Sequence, residues 1–102
     1  MEATKLTSRY AKSLLSLSIE QNSLDKLLSD MNYIKNICSE NKDLVLLLKS
    51  PVVKTDKKLS ILSEIFSSFV SEITMTFINI ITFKKREKYL EGIAESFISL
   101  YK

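Results

Sequence analysis

Few side chains in this sequence could perform chemistry by themselves. The 102-residue chain contains no histidine, one glycine and a single cysteine, Cys38. Without histidine, neither a Ser-His-Asp triad nor a Cys-His pair can form, and the usual zinc sites lack their ligands. One glycine is also too few for a loop that cradles a phosphate. Since the acids, lysines and tyrosines converge on no arrangement in the sequence, we expect no catalytic residue, no metal and no cofactor, and therefore no enzyme.

Basic residues form the most conspicuous charged group. Lys84, Lys85 and Arg86 are consecutive and Lys88 follows closely, in a chain of formal net charge +3. Clustered cations bind the phosphates of nucleic acids, although cations also stabilise a helix C-terminus without any ligand. One hypothesis is therefore a small basic helical domain that binds nucleic acid, through Lys54, Lys57, Lys58, Lys84, Lys85, Arg86 and Lys88. Against it, acidic residues interrupt the cluster and no recognition-helix pattern stands out.

The composition favours a helical domain. Hydrophobic residues make up 45% and charged residues 26% of the chain, as is typical of globular proteins, and the length suits one domain. Strand-rich folds need frequent glycine and proline turns, whereas this chain has one of each. No segment resembles a signal peptide, a transit peptide or a membrane span. The lone Cys38 fits a reducing compartment, and its apolar surroundings in residues 24–41 predict a buried, inert thiol.

Apolar residues recur at three- and four-residue spacing along most of the chain, which predicts α-helices. Ser23, Asn41, Thr55 and Ser71 are candidate N-caps, and Pro51 turns the chain after a short helix. The six predicted helices cover residues 6–20, 24–41, 42–49, 56–69, 72–86 and 87–101. We therefore predict an all-α fold, a single six-helix bundle with irregular packing, in which residues 1–102 form one domain.

The fifth predicted helix is apolar on nearly all sides. Ile73, Phe77 and Ile80 share one face, Met75 lies roughly opposite, and Phe83 occupies another sector. A helix with this pattern is normally buried all round. We therefore predict that it is the central helix of the bundle, with one flank left for a partner.

The first predicted helix carries two neighbouring apolar stripes. One consists of Leu6, Tyr10, Ser13 and Leu17, and the other of Ala11, Leu14, Leu15 and Ile19. Together they span about 200° of the helix surface, against ~100° for an ordinary surface helix. Two interpretations stay open: either the helix is deeply buried, or one stripe faces the core and the other faces a partner.

Five short segments follow one another in a familiar order. They are Arg9-Tyr10-Ala11-Lys12, Leu24-Asp25-Lys26-Leu27, Ser50-Pro51-Val52, a basic segment ending in Arg86, and residues 97–101. Their order and spacing resemble the N-terminal domain of the delta subunit of F1Fo ATP synthase, called the oligomycin-sensitivity-conferring protein in mitochondria. The resemblance covers essentially the whole chain. The chain departs from that family at residues 21–23, where glycine is frequent, and at Ser13, where alanine is frequent.

The resemblance implies a non-catalytic stator component. In that family a six-helix bundle sits on the catalytic head, and a groove between helices one and five receives the N-terminal helix of an F1 alpha subunit. On this chain the groove walls would be Tyr10, Ser13, Leu14 and Leu17 on helix one, and Thr76, Phe77, Ile80 and Phe83 on helix five. Plain burial in the core is the alternative for Phe77 and Ile80.

The resemblance also implies a larger assembly. In that family a second, C-terminal domain joins the b subunits of the peripheral stalk, so that the subunit resists rotation during proton-driven ATP synthesis. This chain stops after the sixth predicted helix and resembles the N-terminal half alone. The implied location is peripheral, on the cytoplasmic face of the bacterial inner membrane, with membrane contact only through the complex. We expect the separate domain to be a monomer without a nucleic-acid partner.

Overall fold

The chain folds mainly into α-helices joined by short connections. The computed structural model describes residues 4–102, which form six α-helices and contain no strand. The elements are α1 (Lys5–Glu20), α2 (Leu24–Glu40), α3 (Lys42–Lys49), α4 (Thr55–Phe66), α5 (Glu72–Phe83), a 3-10 turn at Glu87–Tyr89, and α6 (Leu90–Tyr101). The predicted all-α, six-helix bundle is therefore confirmed.

Several helix ends differ from the predicted ones. α4 ends at Phe66 rather than Phe69, and Phe69 is 60% exposed on the following turn. Thr55, predicted as the cap of α4, is instead its first residue. α5 ends at Phe83 because Lys85 adopts a left-handed backbone conformation with a φ of 62°, which a continuing helix does not allow.

The chain reverses sharply after α5. The backbone N–H of Arg86 donates a hydrogen bond of 2.8 Å to the carbonyl of Ile81, which is the long bond of a Schellman motif. α1 ends in the same way, with Asn22 in the left-handed position at a φ of 53°. Glycine usually occupies this position and asparagine is also accommodated there, so the backbone strain falls on Lys85. The reversal after α5 brings Arg86 back toward α1.

The centre of the bundle lies at α6, which corrects the predicted central position of the fifth helix. α6 packs against both α1 and α2, and Leu90, Ile93 and Phe97 are fully buried in it. Gly92 is also buried in α6, and without a side chain it allows a neighbouring helix to approach closely. α5 packs instead mainly against α4. The apolar residues on all sides of α5 therefore form two faces, one that is buried and a second that is directed outward.

The single thiol belongs to the core. Cys38 is 2% exposed on α2, so the predicted buried thiol is confirmed. Burial is the main cause that raises the pKa of Cys38 from 9.0 to about 12, and the negative charges of Glu91 and Glu95 add to it. The thiolate is the reactive form of cysteine, and almost none is present near neutral pH.

We expect Cys38 to react slowly with a thiol reagent at pH 8 in the folded chain and rapidly in denaturant. Because the folded chain holds the proton more tightly than the unfolded chain, this residue contributes stability below pH 9, and the contribution is lost as pH rises toward 12. The rate at which Cys38 reacts is measured by the absorbance of the chromophore that the thiol reagent releases. Equal rates in the folded and unfolded chains would contradict the buried position.

Candidate partner-binding groove

An apolar groove lies between α1 and α5. It encloses about 320 Å3 and is lined by Leu14, Leu17, Glu72, Ile73, Thr76, Phe77 and Ile80. Leu17 on one wall is 37% exposed, and Ile80 on the other is 45% exposed. Exposed large apolar side chains that line a common groove are typical of protein-interaction surfaces.

Tyr10 and Arg86 lie beside one end of this groove. The ring of Tyr10 meets Phe77 edge to face, with centroids 5.7 Å apart, a favoured aromatic geometry. Nη1 of Arg86 donates a hydrogen bond of 2.7 Å to the hydroxyl oxygen of Tyr10. The guanidinium carbon of Arg86 also lies 6.0 Å from the centroid of the tyrosine ring. The reversal after α5 thus places the cationic side chain of Arg86 against Tyr10 on α1, so that this side chain joins the two walls.

The structure brings together most of the residues predicted for the two walls. Five of the eight line the groove: Leu14, Leu17, Thr76, Phe77 and Ile80. Tyr10 reaches it through its contact with Phe77. Ser13 is exposed on α1, and Phe83 is 68% exposed beyond the lining residues. Of these eight residues only Leu14 is buried, so the wide apolar arc of α1 comprises a core stripe and an outward stripe.

Two lining residues, Glu72 and Ile73, were not among the predicted ones. Ile73 shares a helix face with Phe77 and Ile80, so the three- and four-residue spacing already contained the signal for it. In the sequence, Glu72 has only the signal of a favourable charge in the first turn of a helix. An acidic residue gives no sign in the sequence that it also borders a groove.

A buried carboxylate from α2 fixes the start of α5, the second groove wall. Asp30 is 1% exposed. Its Oδ2 accepts hydrogen bonds from the backbone N–H of Ser71 at 2.9 Å, from the Ser71 hydroxyl at 2.8 Å and from the Thr74 hydroxyl at 2.7 Å. Its Oδ1 lies 3.1 Å from Nζ of Lys26. Ser71 caps α5 as predicted, accepting from the N–H of Thr74 at 3.3 Å.

A buried ion pair fixes the segment that follows α5. Nζ of Lys58 lies 2.5 Å from Oε2 of Glu87 and also donates to the carbonyls of Leu48 at 3.1 Å and Ser50 at 2.7 Å. Lys58 is 4% and Glu87 7% exposed. The pair therefore joins α3, α4 and the 3-10 turn directly after Arg86, which positions that arginine beside α1.

Comparison with known proteins decides the family. Residues 6–102 match the model of the ATP synthase delta (OSCP) subunit family. The chain belongs to the ATP synthase delta (OSCP) subunit family. It is 40% identical over 100 residues to the ATP synthase subunit delta of Chlorobaculum tepidum, covering 98% of this chain and 55% of that protein. It is 36% identical over 102 residues to that of Cytophaga hutchinsonii, covering 100% of this chain and 56% of the relative.

Membership of the delta (OSCP) family agrees with the resemblance found in the sequence. Members are structural subunits of ATP synthase and are not catalytic, so the prediction of a non-enzymatic protein is confirmed at the level of the family. The chain spans about half the length of the curated relatives it matches. Within residues 4–102, no helix is both long enough and apolar enough to cross a membrane.

The basic residues are less available than the nucleic-acid hypothesis requires. Lys58 is buried in its ion pair with Glu87, so its inclusion in an exposed basic surface was wrong. Arg86 is engaged by Tyr10, and Nζ of Lys85 donates to the hydroxyl of Thr55 at 3.1 Å. Three of the seven basic residues thus donate hydrogen bonds within the domain, which weakens the hypothesis.

Proposed function

We propose that this chain is the part of an ATP synthase delta subunit that receives the amphipathic N-terminal helix of an F1 alpha subunit. The observation that carries the proposal is the groove between α1 and α5, to which Leu17 contributes from one wall and Ile80 from the other, and in which both remain exposed. An amphipathic helix places residues spaced by three and four into such a groove. Burial of these apolar side chains would stabilise the complex by about 25 cal/mol per Å2, less the entropic cost of association.

In the assembled synthase, the domain would act as part of the stator. It would attach to F1 through the groove, while a second, C-terminal domain would join the b subunits of the peripheral stalk. The location would be peripheral, on the cytoplasmic face of the bacterial inner membrane. A densely packed bundle resists torque because close-packed interiors are only slightly compressible. The separate domain would be a monomer.

The substitution Ile80→Asp tests the proposal. Ile80 is 45% exposed in the groove, so an aspartate there can stay hydrated in the free domain but faces apolar side chains in the complex. We expect the affinity for a peptide of the first ~20 residues of the cognate alpha subunit to fall about 10- to 100-fold, with little change in melting temperature. Isothermal titration calorimetry and circular dichroism measure the two quantities.

Leu46→Asp provides the matched control. Leu46 is 65% exposed on α3 and does not line the groove, so it should leave the peptide affinity unchanged. Binding should also persist at high salt, since apolar contacts are not screened. The proposal fails if the wild-type chain does not bind the peptide, or if both aspartate variants weaken binding equally.

A further inference from the structure

The groove carries charges of opposite sign at its two ends. Glu72 lines the end near Ile73 and Leu17. Glu20 is exposed three residues after Leu17, which places it one helical turn farther toward the same end. No ion pair involves Glu20 or Glu72 in the part of the chain that the structure describes. Both carboxylates are therefore available to an approaching partner.

The opposite end of the groove is basic. Arg86 lies there against the ring and hydroxyl of Tyr10. Lys84 is exposed four residues after Ile80, so it extends the groove-facing stripe of α5 by one turn. The apolar floor is thus bounded by carboxylates at one end and by cations at the other.

The dipoles of the two wall helices oppose each other. Tyr10, in the first half of α1, meets Arg86 beyond the C-terminus of α5, whereas Leu17 in the second half shares the groove with Glu72 at the N-terminus of α5. α1 and α5 therefore run in opposite directions. Since each helix contributes about half a charge of opposite sign at each end, their fields largely cancel, and the side-chain charges decide which end is negative.

We propose that these charges fix the direction of the docked helix. Its N-terminal turn lies beside Glu72 and Glu20, and its C-terminal turn lies beside Lys84 and Arg86. The N-terminus of a helix carries partial positive charge and the C-terminus partial negative charge, so this direction is favoured at both ends. The inference rests on the proposed function, because it concerns the helix that the groove receives. α5 has 12 residues, about 18 Å, so roughly three turns of the partner fit along it.

Spin labels on the peptide test the direction. A synthetic peptide of the first ~20 residues of the cognate alpha subunit would carry a nitroxide at its N-terminus or at its C-terminus, and would be added to the 15N-labelled chain. We expect the N-terminal label to broaden amide signals near Leu17 and Ile73, and the C-terminal label to broaden those near Tyr10 and Arg86. A diamagnetic version of each peptide is the reference.

Charge reversal provides a second measurement. Glu20→Lys combined with Glu72→Lys should weaken peptide binding about 3- to 10-fold at low salt, and the difference should disappear at high salt. Glu40→Lys with Glu64→Lys changes the net charge equally at exposed positions outside the groove and should have little effect.

The outcomes separate the inference from the proposed function. If the peptide does not bind, both the proposed function and the inference fail. If it binds but the two labels broaden the opposite ends, or both ends equally, the proposed function stands and the inferred direction is overturned. If the Glu20 and Glu72 double variant binds as tightly as the control variant at low salt, the charges do not set the direction.

Discussion

Replacement of Lys58 by methionine is expected to destabilise the domain by about 3–5 kcal/mol, the usual cost of removing one partner of a buried ion pair. The change leaves the carboxylate of Glu87, which is 7% exposed, without its cation. It also removes the donor to the carbonyls of Leu48 and Ser50. Chemical denaturation followed by circular dichroism measures the loss. Since the pair lies next to Arg86, peptide binding should weaken as well.

Two further variants define the cause of that loss. Lys57→Met removes the same charge from the exposed neighbouring position and should cost no more than about 0.5 kcal/mol. Lys58→Met combined with Glu87→Leu removes both charges, so it should recover a large part of the stability lost in the single variant. If the free energy of unfolding of Lys58→Met lies within about 1 kcal/mol of the wild-type value, the pair does not stabilise the fold.

The substitution Asp30→Ala is expected to cost about 3 kcal/mol of stability, because it removes hydrogen bonds to a charged acceptor and leaves buried donors at the start of α5 unsatisfied. Oδ2 of Asp30 accepts all three hydrogen bonds from Ser71 and Thr74. Without it, the backbone N–H of Ser71 and the hydroxyl of Thr74 lose their acceptor, and these hydrogen bonds no longer join the start of α5 to α2. Thermal unfolding and amide hydrogen exchange in the first turn of α5 measure the effect.

Conservative and positional controls accompany that prediction. Asp30→Asn keeps a carbonyl acceptor of nearly the same shape and should cost less than the alanine variant. Asp25→Ala removes an exposed acid from the same helix and should cost at most about 1 kcal/mol. Equally small losses of stability in Asp30→Ala and Asp25→Ala would show that Asp30 does not hold α5 in place.

Periodicity was sufficient to predict the helices and much of the groove. Leu17 and Ile80 each lie at three- or four-residue spacing from other apolar residues, so the sequence predicts that each lies on an apolar helix face. Periodicity does not say which apolar face meets the core, and for that reason the outward face of α5 could not be distinguished from a buried one. The central position of α6 depends on which helices pack together. That choice is determined by the shapes of the helix surfaces, including the missing side chain at the buried Gly92.

The burial of these charged side chains could not be predicted from the sequence for a similar reason. Lys58 belongs to a run of basic residues, and nothing local distinguishes it from its exposed neighbour Lys57. Its partner Glu87 is 29 residues away. Asp30 likewise meets Thr74 at a separation of 44 residues. Such pairs follow from the tertiary arrangement, whereas the apolar pattern of each helix is local.

The central position of α6 has a consequence for synthesis of the chain on the ribosome. α6 packs against α1 and α2, yet it is translated after the other five helices described here. While α6 is still inside the exit tunnel, core residues such as Ala11 and Leu27 have no covering layer. The nascent α1–α2 hairpin is then an exposed apolar surface of the kind that chaperones bind. Closure of this core therefore requires that α6 has left the tunnel, and it joins α6 to α1 and α2, the first two of the described helices.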